Sequence, residues 1–269
     1  MLVDVNCWLG HWPYRRLRDR TAEELVARLD YLGVTHALVS SIDSILYRNV
    51  QPANEDLAEA LAPYGDRLFP VATINPNYAG WEDDLDAAAE RLGARGVRLI
   101  PQYHGYDLDS PAAQRAAAAC AERGLPVLVA HRIEDPRQRH HLDPGQTVGF
   151  GAAAALLRAV PNLQLIITNA RGLFHSDFVR DPGLRDKAWY VDLSLAEVDY
   201  QLHRHPADRR DLGRALAYVG PAHLLFGTHL PFSYGAPALV KLETLELSEA
   251  DRASIRFRTA ARLFALPIP

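Results

Sequence analysis

Gly96-Val97-Arg98-Leu99-Ile100-Pro101 is the stretch that decides the fold, read together with the segments on its C-terminal side. The run from Gly96 to Ile100 is strand-like, and Pro101 stops it. Ser110-Pro111 then opens a helix, since Ser supplies an N-cap oxygen and Pro suits the first helical position. That helix closes at Gly124, and Pro126 to Ala130 is a second β run. Two β runs joined by a helix form a βαβ crossover, which makes the strands parallel.

The same alternation extends in both directions. Towards the N-terminus, Leu2 to Asn6, His36 to Ser40 and Leu68 to Thr73 read as strands. Helices at 21–32, 52–63 and about 80–92 separate them. Thr21 with Glu24 three positions on is a capping box, Leu25, Leu29 and Leu32 share one face, and Gly33 ends that helix. Towards the C-terminus, strands are expected at Leu163 to Thr168, Ala188 to Asp192 and His223 to Phe226. Helices are expected at 151–159 and 207–219, and at about 236–245 and 248–264. The sixth connection, Gly172 to Leu184, carries little helical period. Eight β runs alternating with helices predict one closed (β/α)8 TIM barrel over residues 1–269, with extra helices at the C-terminal end. A doubly wound open sheet is the rival, but no Gly-rich phosphate loop comes after the first strand.

Composition agrees with a protein built around a large core. The chain has 269 residues, 48% hydrophobic and 23% charged, with a formal net charge of -4. It has no long basic run, so a nucleic-acid partner is not expected. The cluster Arg15, Arg16, Arg18 and Arg20 reads as a solvated loop. Cys7 and Cys120 form no metal-binding or redox pair and read as small buried hydrophobes. The start of the chain lacks a leader's basic and apolar regions. No apolar segment reaches the ~20 residues that span a bilayer. A cytoplasmic protein without membrane partners is the expectation, and a homo-oligomer is compatible with this size.

Several segments together resemble the amidohydrolase-related family of metal-dependent (β/α)8 hydrolases and decarboxylases. Val3-Asp4-Val5-Asn6-Cys7-Trp8 is similar to its V-D-x-H-x-H. Gly96 to Pro101 with His104-Gly105-Tyr106 resembles its strand-four G-[IV]-[KR]-L-x-P…HGY. Leu225-Phe226-Gly227-Thr228-His229-Leu230-Pro231-Phe232 looks like L-F-G-[ST]-D-x-P-[FW], and Thr259 to Phe264 like N-A-x-R-L-[LF]. The resemblance implies a small-molecule substrate and a divalent metal held by two His of the first motif, further His after strands five and six, and an Asp after strand eight. At those positions this chain has Asn6, Trp8, Ala130, Asn169 and His229. Trp and Ala offer no ligating side chain and Asn is a weak ligand for zinc. His131 lies one residue past the strand-five slot, which in a strand points it to the other face.

Barrel chemistry sits at strand C-termini, so the candidate site is assembled there. His229 is read as a metal-independent base, with Glu134 and Asp192 as further acid/base candidates. Asn6, Asn169 and Arg132 would orient and polarise a carboxylate-bearing substrate. Trp8, Tyr103, His104, Tyr106 and Arg171 would complete the pocket. The bland alternatives are strand-end caps for the Asn residues, self-paired charges in the Arg132 to Arg137 loop, and core packing for the aromatics. His140-His141, His203 and His205 read as loop or surface residues, and Asp4 as a structural hydrogen-bonding group.

Three functions are compatible with these residues. The first is a hydrolase or lyase on a small polar, carboxylate-bearing molecule, with no cofactor expected. The second is a non-catalytic ligand-binding or scaffold member. The third is a zinc hydrolase with relocated ligands drawn from His11, His104, His131, Glu134, Asp192 and His229.

Overall fold

The computed structural model describes residues 1–194 and 219–268. Eight strands succeed one another in chain order in a single parallel sheet. They are β1 (Val3–Leu9), β2 (His36–Ser41), β3 (Leu68–Thr73), β4 (Gly96–Leu99), β5 (Val127–Ala130), β6 (Leu165–Thr168), β7 (Trp189–Asp192) and β8 (Leu224–Leu225). The ring closes where Val5 N donates to Phe226 O at 3.0 Å and Trp8 N to Leu230 O at 2.7 Å. This is a (β/α)8 TIM barrel, the architecture that the alternation of periods specifies.

The helices are α1 (Ala22–Leu32), α2 (Gln51–Leu61), α3 (Trp81–Glu90), a single turn α4 (Pro101–His104), α5 (Pro111–Glu122) and α6 (Phe150–Ala159). The capping box of Thr21 and Glu24 is formed, and Gly33 ends α1 at φ 69°. Pro101 does end β4, but the chain continues into α4 rather than a loop, because Pro at N1 costs no hydrogen bond. The connection after β6 is three short 3-10 turns, Leu173–His175, Asp177–Arg180 and Pro182–Leu184. Most of the helix expected at 207–219, with His203 and His205, lies outside the described residues. Past β8 come α7 (Ala236–Thr244), α8 (Glu249–Ala253), a π-helical turn at Ser254–Arg258 and α9 (Thr259–Leu263). No helix among the described residues is long and apolar enough to cross a membrane.

The barrel interior has two storeys. The lower one is apolar: Val3, Val5, Leu38, Phe69, Val71, Leu128, Ile166, Tyr190 and Leu225 pack together, and Ala260, Leu263 and Phe264 plug them from below. Two residues further along four of these strands stand Ser40, Ala130, Thr168 and Asp192, all buried. A period of two keeps them on the same inward face as Leu38, Leu128, Ile166 and Tyr190. Arg98 stands two residues past Gly96 in the same way. The upper storey is therefore mostly polar. In β1 the pairing with β2 shifts register between Asp4 and Cys7. This bulge changes the phase, so Val3 and Val5 face the lower storey while Cys7 and Leu9 pack outward. Asn6 and Trp8 thereby enter the upper storey.

Candidate active site at the barrel mouth

Asn169 stands directly after β6, and His229 ends the segment after β8. Both have left-handed backbones, φ 54° and 62°. Asn tolerates this conformation through its short polar side chain, but for His it carries a cost of order 1 kcal/mol that packing must offset. Together with Asn6, Arg98, Asp192 and Ser194 they form one hydrogen-bonded network. Asn6 Nδ2 lies 2.8 Å from Asp192 Oδ2, 3.1 Å from Asn169 Oδ1 and 3.1 Å from Ser194 Oγ. Asn169 N donates to Asp192 Oδ1 at 2.9 Å, and Ser194 Oγ stands 2.5 Å from both Asp192 Oδ2 and Asn169 Oδ1. Asn169 Nδ2 donates to Arg132 O at 2.9 Å.

The His229 ring is fully engaged. Its Nε2–H donates to Ile133 O at 2.7 Å, so Nδ1 is the acceptor, receiving Trp8 Nε1–H at 3.2 Å and Asn169 Nδ2 at 3.1 Å. Burial lowers its pKa to about 3, with Arg98, Arg132 and Arg15 adding to the shift, so the imidazole is neutral. Asp192 moves the other way. Burial raises its pKa to about 6, against the opposing pull of hydrogen bonds from Ser194, Asn169 and Asn6. Asp4 lies below this network as a structural tie, accepting from Asn6 N, Thr228 N and Thr228 Oγ1.

Above the network lies a cavity of about 750 Å³. Its described lining carries Arg15, Arg16 and Arg18 from the loop after β1, Arg28 from α1, Arg132 and Arg137 after β5, Arg171 after β6, and Lys241 from α7. Asp19 and Asp135 are the carboxylates of that lining, and Ser194, Thr228 and Leu230 belong to its floor. Arg28 pairs with Asp19 at 2.9 Å, while Arg132 and Arg137 approach Asp135 at 3.7 and 2.9 Å. Asp135 is held at a pKa of about 2, since hydrogen bonds from Arg137 and the charge of Arg132 overcome its desolvation. Arg15 is clamped onto Glu134 through two bonds of 2.8 and 2.9 Å, and also donates to Phe232 O at 2.6 Å. Partial burial raises the Glu134 pKa even though Arg15 opposes it.

The residues singled out from the sequence therefore separate into groups. Arg132 and Arg171 line the cavity. Asn6, Trp8, Asn169, Asp192 and His229 meet beneath its floor and are wholly buried. Glu134 stands behind Arg15. Tyr103, His104 and Tyr106 are not among the cavity lining: Tyr103 packs edge-on to Trp12 at 6.0 Å and its Oη donates to Asp143 Oδ1 at 2.8 Å, His104 Nε2 meets Ser44 O at 3.0 Å, and Tyr106 lines a separate groove. A substrate role for these three is not supported by their position. The Arg15 to Arg18 patch is a solvated loop, with Arg16 and Arg18 exposed, and it also forms part of the cavity wall. It lies just past a strand end, and that was the available signal. Ser194 and Lys241 carried no such mark.

A divalent ion does not fit this centre. His131 points outward, its Nδ1 2.7 Å from Val148 O and its ring stacked on Phe150 at 4.4 Å. His104 is held on Ser44, and Glu134 on Arg15. Among the described residues no three His, Cys, Asp or Glu side chains converge.

A family model described as Amidohydrolase matches residues 18–266. No curated protein matches the sequence. Solved structures similar to the chain include 5-carboxyvanillate decarboxylase from Sphingomonas paucimobilis, at 17% identity over 98% of this chain and 99% of that one, TM-score 0.72. A putative 2-pyrone-4,6-dicarboxylic acid hydrolase from Pseudomonas putida is 20% identical over 100% and 98%, TM-score 0.68. A dihydroxybenzoic acid decarboxylase from a Polaromonas species, solved with bound manganese and the inhibitor 2-nitroresorcinol, is 17% identical over 100% and 98%, TM-score 0.73. At such identities the likeness is one of fold.

Proposed function

The chain belongs to the amidohydrolase family, and we propose that it is a hydrolase or lyase acting on a small carboxylate-bearing molecule without a catalytic metal. The observation that carries this reading is the convergence of cationic side chains from five separate segments on one cavity at the barrel mouth. Arg16 and Arg18 are exposed on its wall and form no ion pair with a described residue. A carboxylate entering there meets guanidinium groups that suit forked recognition. The solved decarboxylases and the putative dicarboxylic acid hydrolase of the same fold bear names of carboxylate substrates, which supports the same class.

The chemistry is assigned to the floor. Ser194 belongs to both the cavity lining and the buried network, and Asp192 stands 2.5 Å behind its hydroxyl. A carboxyl group whose pKa lies near 6 can exchange a proton near neutral pH, and the serine hydroxyl is its route to a bound substrate. His229 takes a supporting part in this scheme. A neutral ring with both nitrogens occupied holds Trp8 and Asn169 in place and has no lone pair left for a substrate proton. Glu134 likewise orients Arg15.

One observation favours the binding-only reading: Asn6, Asn169, Asp192 and His229 satisfy one another and reach no solvent. Calorimetric titration with aromatic and aliphatic mono- and dicarboxylates, then product analysis for decarboxylation and for C–O or C–N hydrolysis, separates the two. Binding that weakens with salt, together with turnover abolished in Ser194→Ala, is the expected result. Salt-sensitive binding with no turnover by the wild type would favour the binder. Tighter binding of neutral analogues than of the acids would sink the proposal as a whole.

A further inference from the structure

The side chain of Arg98 occupies the middle of the barrel with no exposure to solvent. Its Nε donates to Ser40 Oγ at 2.8 Å, and Nη1 and Nη2 lie 3.5 Å from Thr168 Oγ1 and 3.4 Å from Asn6 Oδ1. Its guanidinium carbon sits 4.1 Å from the centre of the Trp8 ring, a cation–π arrangement that adds to its hold. Asp192, on the far side of Asn6, supplies the opposite charge. The residues it touches or approaches come from β1, β2, β6 and β7, so one cation organises half of the ring.

We propose that Arg98 is the resident cation of this barrel, filling the centre that a divalent ion would otherwise take and closing that centre to metals. The orientation of Asn6 carries the inference. A metal at this position would need the amide oxygen, but that oxygen faces the guanidinium, and the amide NH2 is spent on Asp192, Asn169 and Ser194. Trp8 at the neighbouring slot gives its π face to the cation and its N–H to His229. The His229 acceptor nitrogen is occupied in turn. Every lone pair that a metal would seek is already turned towards a donor, and a divalent ion would have to enter beside a fixed positive charge. Burial lowers the Arg98 pKa to about 9 against the opposing charge of Asp192, so the guanidinium still carries its charge at neutral pH. This inference is independent of which molecule binds at the mouth.

The test uses the full chain purified from medium supplemented with zinc and manganese. Elemental analysis is expected to find neither ion at stoichiometric level, and melting temperature is expected to be unmoved by added Zn²⁺, Mn²⁺ or chelator. Stoichiometric metal, or a saturable rise in melting temperature with either ion that Asn6→Ala or Asp192→Asn removes, would overturn the proposal. A second arm asks whether the charge itself matters. Arg98→Met strands the Asp192 carboxylate and is expected to lower the melting temperature by about 10 °C, with Arg98→Lys restoring a good part of the loss. Equal behaviour of the Lys and Met variants would also overturn it. Should the Met variant fail to fold, the same metal measurements on the wild type and the Arg98→Lys variant still decide, stoichiometric ion in either overturning the proposal.

Discussion

Asp192 and His229 belong to one buried network and titrate in opposite senses. The pKa of His229 falls from 6.5 in the unfolded chain to about 3 in the fold. Its contribution is present above pH 6.5 and is lost as pH falls towards 3, because the unfolded state binds the proton first. The pKa of Asp192 rises from 3.8 to about 6, so its contribution is present below pH 3.8 and is lost as pH rises through 6. Between pH 6 and 6.5 only His229 acts, and below that the two partly offset. His229→Gln removes the imidazole contribution while keeping a side chain that hydrogen-bonds. It is expected to cost about 1–3 kcal/mol at neutral pH, from lost packing and imperfectly paired Trp8 and Asn169. Its urea midpoint should then fall less steeply than that of the wild type from pH 6.5 to 4; parallel profiles would argue against a buried neutral His229. At this scale the sequence named which residues stand at the slots where the family pattern has metal ligands. It did not show that Asn6, Asn169 and His229 would saturate each other, since that depends on residues far apart in the chain.

At the scale of the element, the alternation of period two and period 3.6 was readable over most of the described residues, the connection after β6 excepted. Capping chemistry placed α1 correctly, because Thr21, Glu24 and Gly33 act through bonds only a few residues long. The β1 bulge was not readable: nothing local marks the phase change that brings Asn6 and Trp8 inward. The contact between β4 and α9 was equally hidden. A Cβ on Gly96 would stand 3.0 Å from the Phe264 ring and 3.1 Å from Pro126 O. Gly96 is therefore small because the C-terminal plug and the β5 backbone crowd it. Gly96→Ala is expected to destabilise by about 1–3 kcal/mol through overpacking, checked by urea unfolding. A midpoint equal to the wild type would mean that α9 yields without cost.

Across the whole molecule, a chain of net charge -4 places eight of its 29 Lys and Arg residues around one mouth. Exposed arginines on a loop contribute little to stability, so the double variant Arg16→Glu/Arg18→Glu should melt within about 2 °C of the wild type. Carboxylate binding should weaken by roughly tenfold or more, with a shallower salt dependence, as attraction becomes repulsion at the entrance. Calorimetry at low and high salt measures this, and unchanged affinity would place the ligand elsewhere.

The sequence by itself determined the barrel, and it named Asn6, Trp8, Ala130, Asn169 and His229 as the residues standing where the family pattern has ligands. Those features rest on short-range rules: the direction of alternate side chains, cap hydrogen bonds, and the chemistry of single residues. Only the tertiary structure decided that the Arg15 to Arg18 loop forms part of the cavity wall, that Tyr103, His104 and Tyr106 stand outside its lining, and that Arg98 stands at the centre. Each of these depends on how several strands and loops converge in space. A charged residue within an apolar strand reads the same in sequence whether it meets water or the four neighbouring side chains that enclose it.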